Sequence, residues 1–352
     1  MFGFKISPSV VLFSLILFGG VVVTLVSPSV LGAWFGMEVN LFAAIPLFCG
    51  KSGSESVSCV KYFVFQALGS GFIFLSLLVG LGLGCFMGLG LKSFLVGGLM
   101  VLGMSLKLGL FPCHLWVPEV VSGLGWLSCF LLMVVQKLAP IWVVGGIGLC
   151  DLWVFLLMCI CCLTSFFGAL GGLSQVSVRC LLAYSSLVHS GWVVVVSLVS
   201  VFVFFSYMLL YCVILAGLIL GLQSLGFSNL YSSSGVIGGV FVNNHWVWVG
   251  LYFMSLAGVP PFSGMFMKIM SVVVLCGVQP VFLAGLIVAS LISLYFYLGI
   301  FFSIYLSWGG SGVFGGFLLG SLTSSNWLGL SIFLNLLLSP VVLVSGVWFF
   351  LG

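Results

Sequence analysis

Charge is what this chain has least of. Its 352 residues include 8 basic and 4 acidic side chains, so 3% are charged, against about 25% in an ordinary soluble domain. Twelve charges cannot solvate a surface of this size, so the surface faces lipid. That excludes a soluble enzyme, a nucleic-acid binder, a disordered chain and a secreted disulfide scaffold. A net charge of +4 spread this thinly forms no basic patch and matters only for topology. Histidine is also scarce. His114, His189 and His245 cannot supply the two bis-His pairs of a dihaem bundle, nor a haem–copper centre, so no redox centre is expected in the chain. Threonine is reduced to Thr24, Thr164 and Thr323, while Phe, Gly, Val, Leu, Trp and Cys abound. The abundant residues share T- and G-rich codons, which points to a strand-biased small genome such as a mitochondrial one. Frequencies of Phe, Gly or Cys therefore carry little weight. The single C-x-x-C within Cys159, Cys161 and Cys162 has no second pair and no nearby histidine, so it reads as small hydrophobes rather than a metal framework.

What remains is apolar text, 63% of the chain. A spanning helix needs roughly 20 apolar residues. Breakpoints at Pro, Gly, Ser and charge give eleven candidate spans, near 8–27, 29–49, 58–82, 91–111, 122–147, 150–172, 177–197, 200–222, 246–275, 280–306 and 327–350. The polar stretches 51–61, 223–245 and 307–326 read as loops. The runs are continuous rather than alternating, which argues against a β-barrel. The fold class expected is all-α: one integral membrane domain over 1–352, of about eleven helices. The apolar run from Val10 follows Lys5 with no polar mature domain behind it, and lack of a presequence suits synthesis inside the organelle that uses the protein. With the N-terminus on side one, Lys5, Lys51, Lys61 and Arg179 share that side and Lys92 alone lies opposite, which satisfies the positive-inside rule. Gly84 with Gly88, and Gly168 with Gly172, have the spacing of helix-packing contacts. The glycines at 80–84 lack the strand–helix context of a dinucleotide fingerprint.

Four charges fall inside spans: Glu38, Lys107, Lys137 and Lys268. Each costs about 2.5–3.5 kcal/mol at a helix centre. Glu38 can offset part of this by pairing with one lysine. The others must face water or one another, where an ammonium group can serve as a proton carrier; snorkelling to an interface is the competing account. Lys107 stands five residues before Pro112 and Lys268 seven after Pro261. Neither Pro260 nor Pro261 can donate to a helix ladder, so the ninth span should break near the midplane, where irregular backbone must meet protein or water. Two broken helices carrying ionisable residues, in separate halves, point to inverted repeats around a midplane ion route. The residues alone thus indicate a proton or cation translocator. His114 suits either a proton relay or an interface. His189, beside Tyr184, Ser185, Ser186 and Ser190, suits a relay or a hydrogen-bonded core; His245 reads as loop. Glu119 and Asp151 read as surface or helix-start acids.

A set of segments then points to a family: Gly-Met-Glu-Val-Asn at 36–40, Lys-Tyr-Phe-Val-Phe-Gln-Ala at 61–67, Lys-Leu-Gly-Leu-Phe-Pro-Cys-His-Leu-Trp-Val-Pro-Glu at 107–119, Gln-Lys-Leu-Ala-Pro at 136–140, Gly-Gly-Leu-Ser-Gln at 171–175, Ala-Tyr-Ser-Ser at 183–186 and Gly-Val-Pro-Pro-Phe-Ser-Gly at 258–264. In this order they resemble the antiporter-like membrane-arm subunits of respiratory complex I, and among them the subunit 2 family of mitochondrial NADH dehydrogenase (ubiquinone). The match runs from about residue 30 to 270. It implies a multi-pass protein of the mitochondrial inner membrane, with its N-terminus on the matrix side and its C-terminus on the intermembrane-space side. It further implies that NADH, FMN, iron–sulfur clusters and ubiquinone are bound by other subunits. Partners implied are the other membrane-arm subunits, including other antiporter-like ones, and lipids such as cardiolipin, with no nucleic acid. By resemblance, Glu38 pairs with Lys107 on the first broken helix, Lys137 is the central lysine, and Lys268 lies on the second broken helix toward the exit. His114 and His189 match positions on the polar axis. Cys113 and Leu115 depart from the two Phe that many relatives carry around the histidine, but both are apolar. Two rivals remain: a free-standing cation/proton antiporter, against which the lack of an acidic cation cage speaks, and a purely structural assembly subunit in which the buried lysines are replaceable.

Overall fold

The structure is a computed structural model, and it describes residues 8–50, 52–81, 89–225, 245–309 and 335–336. The helices are α1 Pro8–Val26, α2 Val30–Phe48, α3 Gly53–Leu81, α4 Leu89–Leu108, α5 Trp116–Gly123, α6 Trp126–Phe130, α7 Gln136–Gly146, α8 Asp151–Leu173, α9 Val178–Val199, α10 Val201–Leu225, α11 His245–Ala257, α12 Ser263–Val278 and α13 Pro280–Gly309. A π-helical turn, Leu131–Val135, joins α6 to α7 without a break. Among the described residues no strand occurs, and eight helices are long and apolar enough to cross a membrane. The protein is an all-α polytopic membrane protein. Its outward faces carry side chains such as Leu15, Phe42, Val281 and Tyr295, while Thr24, Asn40, Ser186 and Ser255 are buried. That inversion of the soluble pattern suits lipid as solvent.

Most expected spans coincide with helices to within a few residues. One correction concerns 51–61, expected as loop. Helix α3 starts at Gly53 because Ser52 and Glu55 form a capping box. The Glu55 amide donates to Ser52 Oγ at 3.3 Å and the Ser52 amide to Glu55 Oε2 at 3.3 Å, satisfying two donors that a helix start leaves free. Helix α13 likewise continues through 307–309, the first residues of an expected loop. The expected loop 223–245 is helical at both ends, since 223–225 finish α10 and His245 starts α11; its middle, 226–244, and the expected span 327–350 lie outside the described residues, except that 335–336 is helical. Lys5, Lys51, Gly84 and Gly88 lie outside them too.

The chain divides into two compact units: Met1–Thr164 with His189–Leu198, and Ser165–Val188 with Val199–Gly352. In the first, α1 packs on α2 and α3 on α4, while α7 is contacted by α1, α2 and α4. Small residues permit the close crossings. A Cβ on Gly36 would meet the Gly20 carbonyl at 2.9 Å, and one on Gly103 the Gly69 carbonyl at 2.9 Å, so these backbones touch as membrane helices do at small residues. In the second unit α11 packs against α10, α12 and α13. Gly168 and Gly172 serve packing there: a Cβ would meet the Tyr184 carbonyl at 3.0 Å and the Phe296 ring at 2.9 Å.

Candidate functional site

Each unit holds one broken helix, and the two breaks share one construction. Helix α4 ends at Gly109 and α11 at Gly258, both with positive φ, +67° and +80°. The Gly109 amide donates to the Leu106 carbonyl (3.4 Å) and the Leu110 amide to the Ser105 carbonyl (2.8 Å). The Gly258 amide donates to the Ser255 carbonyl (3.1 Å) and the Val259 amide to the Met254 carbonyl (3.3 Å). Both are Schellman endings, which need a left-handed residue that glycine supplies without strain. The chain resumes as α5 after Pro112 and as α12 after Pro260 and Pro261, as their missing amide hydrogens lead one to expect. A Schellman ending satisfies only two of the orphan carbonyls. The remaining ones, at 107–108 and 256–257, need other donors.

Those donors define the site. At the first break, Gln66 on α3 gives its Nε2–H to the Lys107 carbonyl at 3.0 Å. The Lys107 ammonium turns instead to Glu38 on α2, with Nζ to Oε1 at 3.0 Å. The two side chains are only 2% and 16% exposed, so this is an interior ion pair and Lys107 does not snorkel. At the second break the lysine caps the helix itself: Lys268 on α12 reaches back from half-buried surroundings to donate to the Ala257 carbonyl at 2.7 Å. Gly258 allows this, since a Cβ there would lie 3.0 Å from Lys268 Nζ.

Lys137 is the second residue of α7, just after the π turn, and is 6% exposed. A π turn shifts the residues after it by one position and often marks a functional site. Pro140 lacks the amide that would bind the Gln136 carbonyl, so this backbone is irregular beside the lysine. Gln136 Nε2 donates to Asn40 Oδ1 at 3.1 Å, tying α7 to the helix that carries Glu38. Lys107 and Lys137 line one small cavity together with Gln66, Gln136, Tyr62 and Trp116. Its free space is on the order of one water molecule. The first unit thus brings two lysines and two amides, Gln66 and Gln136, to the wall of one cavity, with Glu38 bonded to Lys107 and Asn40 to Gln136.

His114 sits inside the first break, buried, with its ring stacked on Phe111 at 6.0 Å. His189 is buried on α9 within the first unit. Lys268 belongs to the second unit. Glu119 is an exposed surface acid, paired with Lys61 at 2.7 Å, the side chains 46% and 59% exposed. Asp151 is the first residue of α8.

Residues 27–293 match the family model described as NADH:quinone oxidoreductase/Mrp antiporter, transmembrane. The NADH-ubiquinone oxidoreductase chain 2 of Pisaster ochraceus is 35% identical over 299 residues, 82% of this chain and 83% of that protein. The chain belongs to the NADH-ubiquinone oxidoreductase chain 2 family. Another chain 2, from Anopheles gambiae, is 32% identical over 307 residues, 86% of this chain and 87% of its own. A chain of respiratory complex I from Thermus thermophilus superposes with a TM-score of 0.72 at 22% identity, covering 84% of this chain and 70% of the other; that likeness concerns the fold. For a chain 2 family member, the residues that sequence reasoning passed over are the amides. Asn40, Gln66, Gln136 and Asn335 all lie within expected spans, and each is hydrogen-bonded. The signal was the one used for the charges: a polar side chain inside an apolar run costs free energy unless it is partnered.

Proposed function

We propose that this chain is a proton-translocating membrane subunit of NADH:ubiquinone oxidoreductase, respiratory complex I, and thereby part of an enzyme whose redox chemistry occurs in other subunits. Those subunits hold NADH, FMN, the iron–sulfur clusters and ubiquinone. The chain works as a single integral membrane domain of the mitochondrial inner membrane, with its N-terminus in the matrix and its C-terminus in the intermembrane space. It is seated among the other membrane-arm subunits, antiporter-like ones included, and among lipids such as cardiolipin. The observation that carries the reading is the interior Glu38–Lys107 pair, whose lysine lines a small cavity together with Lys137.

The mechanism follows from electrostatics. While Glu38 neutralises Lys107, Lys137 faces one formal positive charge less across the cavity and can take a proton. Quinone reduction elsewhere changes the charge or hydration of a neighbour and loosens the pair. The uncompensated Lys107 ammonium then disfavours a second charge at Lys137, whose proton moves toward Lys268, with His114 and His189 along the polar axis. Moving one charge against 100 mV takes about 2.3 kcal/mol, which a single interior charge pair can supply.

The first test is whether the chain resides in the complex. Inner membranes solubilised mildly and separated on a native gel are probed for this chain and stained for NADH oxidation. Co-migration with a megadalton NADH-oxidising band is expected. Migration as a small separate species overturns the reading and favours a free-standing antiporter.

A further inference from the structure

The second break carries a polar cluster that the relay does not use. Ser255 lies on α11 before the break and Ser263 on α12 after it. Both are buried, as is Asn335. Asn335 joins them: its Nδ2–H donates to Ser255 Oγ at 2.7 Å, and its Oδ1 accepts from the Ser263 hydroxyl. The Ser255 hydroxyl donates in turn to the Leu251 carbonyl at 3.0 Å.

The directions in this chain are fixed. Because Ser255 spends its only hydrogen on Leu251, it can only accept from Asn335, so the amide nitrogen must face Ser255 and the amide oxygen Ser263. Only a side chain with a donor and an acceptor side by side completes both bonds. The same stretch governs Lys268. The Ser255 carbonyl closes the Schellman ending at Gly258, and two residues on is Ala257, whose carbonyl takes the Lys268 ammonium. Gly264, next to Ser263, passes so close to the Ser255 carbonyl that no Cβ fits. A shift of α12 against α11 at this point therefore separates Lys268 from its acceptor.

We propose that Asn335 is a positioning residue for proton release: it clasps the two halves of the second broken helix and thereby holds Lys268 on the Ala257 carbonyl. The proposal rests on the proton-translocating reading above. It adds a residue some seventy positions beyond the break.

The test uses the assembled complex in sealed vesicles, reading protons translocated per NADH oxidised. Asn335→Leu keeps the bulk and removes both bonds. Loss of two neutral hydrogen bonds should lower the rate of proton translocation by about five- to a hundredfold, and lower the proton-to-electron ratio. NADH oxidation by an artificial acceptor should stay at its native rate. Ser263→Ala should act in the same direction, and the double variant should be no worse than Asn335→Leu alone. Asn335→Asp has the right shape and makes both bonds when its carboxyl is protonated, so its ratio should recover as the assay is made more acidic, whereas that of Asn335→Leu should not. A native ratio in Asn335→Leu overturns the proposal, and so does additivity with Ser263→Ala. If Asn335→Leu does not accumulate, Ser263→Ala carries the decision, and a native ratio there overturns it equally. Lys268→Met serves as the reference: a native ratio in that variant means the underlying relay has failed, and a lowered ratio there with a native one in Asn335→Leu means only the clasp has.

Discussion

Replacing Glu38 and Lys107 together separates what the ion pair does for stability from what it does for function. At 3.0 Å, two unit charges attract by about 5.5 kcal/mol at an effective dielectric near 20. The pair is almost out of water, so most of that attraction offsets desolvation rather than adding net stability. Glu38→Gln alone leaves the Lys107 ammonium buried without its counter-charge, a loss of about 3–5 kcal/mol for a buried pair. That variant should accumulate poorly or lose activity on mild heating. The double variant Glu38→Leu with Lys107→Met removes both charges and keeps the volume. Such replacements are often neutral or stabilising by about 1–4 kcal/mol, so the complex should assemble and keep its NADH oxidation by an artificial acceptor. The pair's opening should nonetheless be gone, and proton translocation per NADH should fall. The assays are native-gel abundance, residual activity after heating, and the proton-to-electron ratio in sealed vesicles. A double variant that assembles and translocates at the native ratio refutes the assignment of Glu38 and Lys107 to the relay.

Other substitutions follow from the same geometry. Gln66→Leu orphans the Lys107 carbonyl at the first break and should cost about 1–3 kcal/mol, seen as a lower midpoint for thermal inactivation of NADH–quinone activity. Gly264→Ala drives a methyl group into the Ser255 backbone carbonyl, so a helix must move; a cost of about 3 kcal/mol or more should appear as little assembled complex on a native gel. Lys61→Ala breaks only the exposed pair with Glu119 and should change stability by less than about 1 kcal/mol, leaving abundance and turnover native.

The fold was legible because lipid imposes a coarse rule: an apolar run of roughly twenty residues must be a helix. That rule located the long helices from 8 to 309 within a few residues, though not the short α5, Trp116–Gly123, between the expected spans 91–111 and 122–147, and proline chemistry located both breaks. It failed at 51–61, where serine and lysine read as loop but the Ser52–Glu55 box starts a helix, a local hydrogen-bond device that hydropathy does not register. The site was legible to the extent that charge is costly in a span, which singled out Glu38, Lys107, Lys137 and Lys268. That Glu38 meets Lys107 rather than another lysine came from family resemblance, because residues 69 positions apart have no spacing rule. Periodicity did not announce that a lysine caps its own break through Ala257, or that Gln66 and Asn335 satisfy groups at the two breaks. Those contacts depend on tertiary approach through glycines such as Gly69 and Gly258, whose roles become visible only once the helices are packed.

The most direct trial of the relay is the proton-to-electron ratio of the assembled complex carrying Lys137→Met, measured in sealed vesicles beside the unaltered complex. The side chain keeps its length and loses its charge, and it sits in the cavity wall with Lys107. The relay requires a lower ratio, with NADH oxidation by an artificial acceptor unchanged. An unaltered ratio at native abundance would show that protons do not pass by way of Lys137.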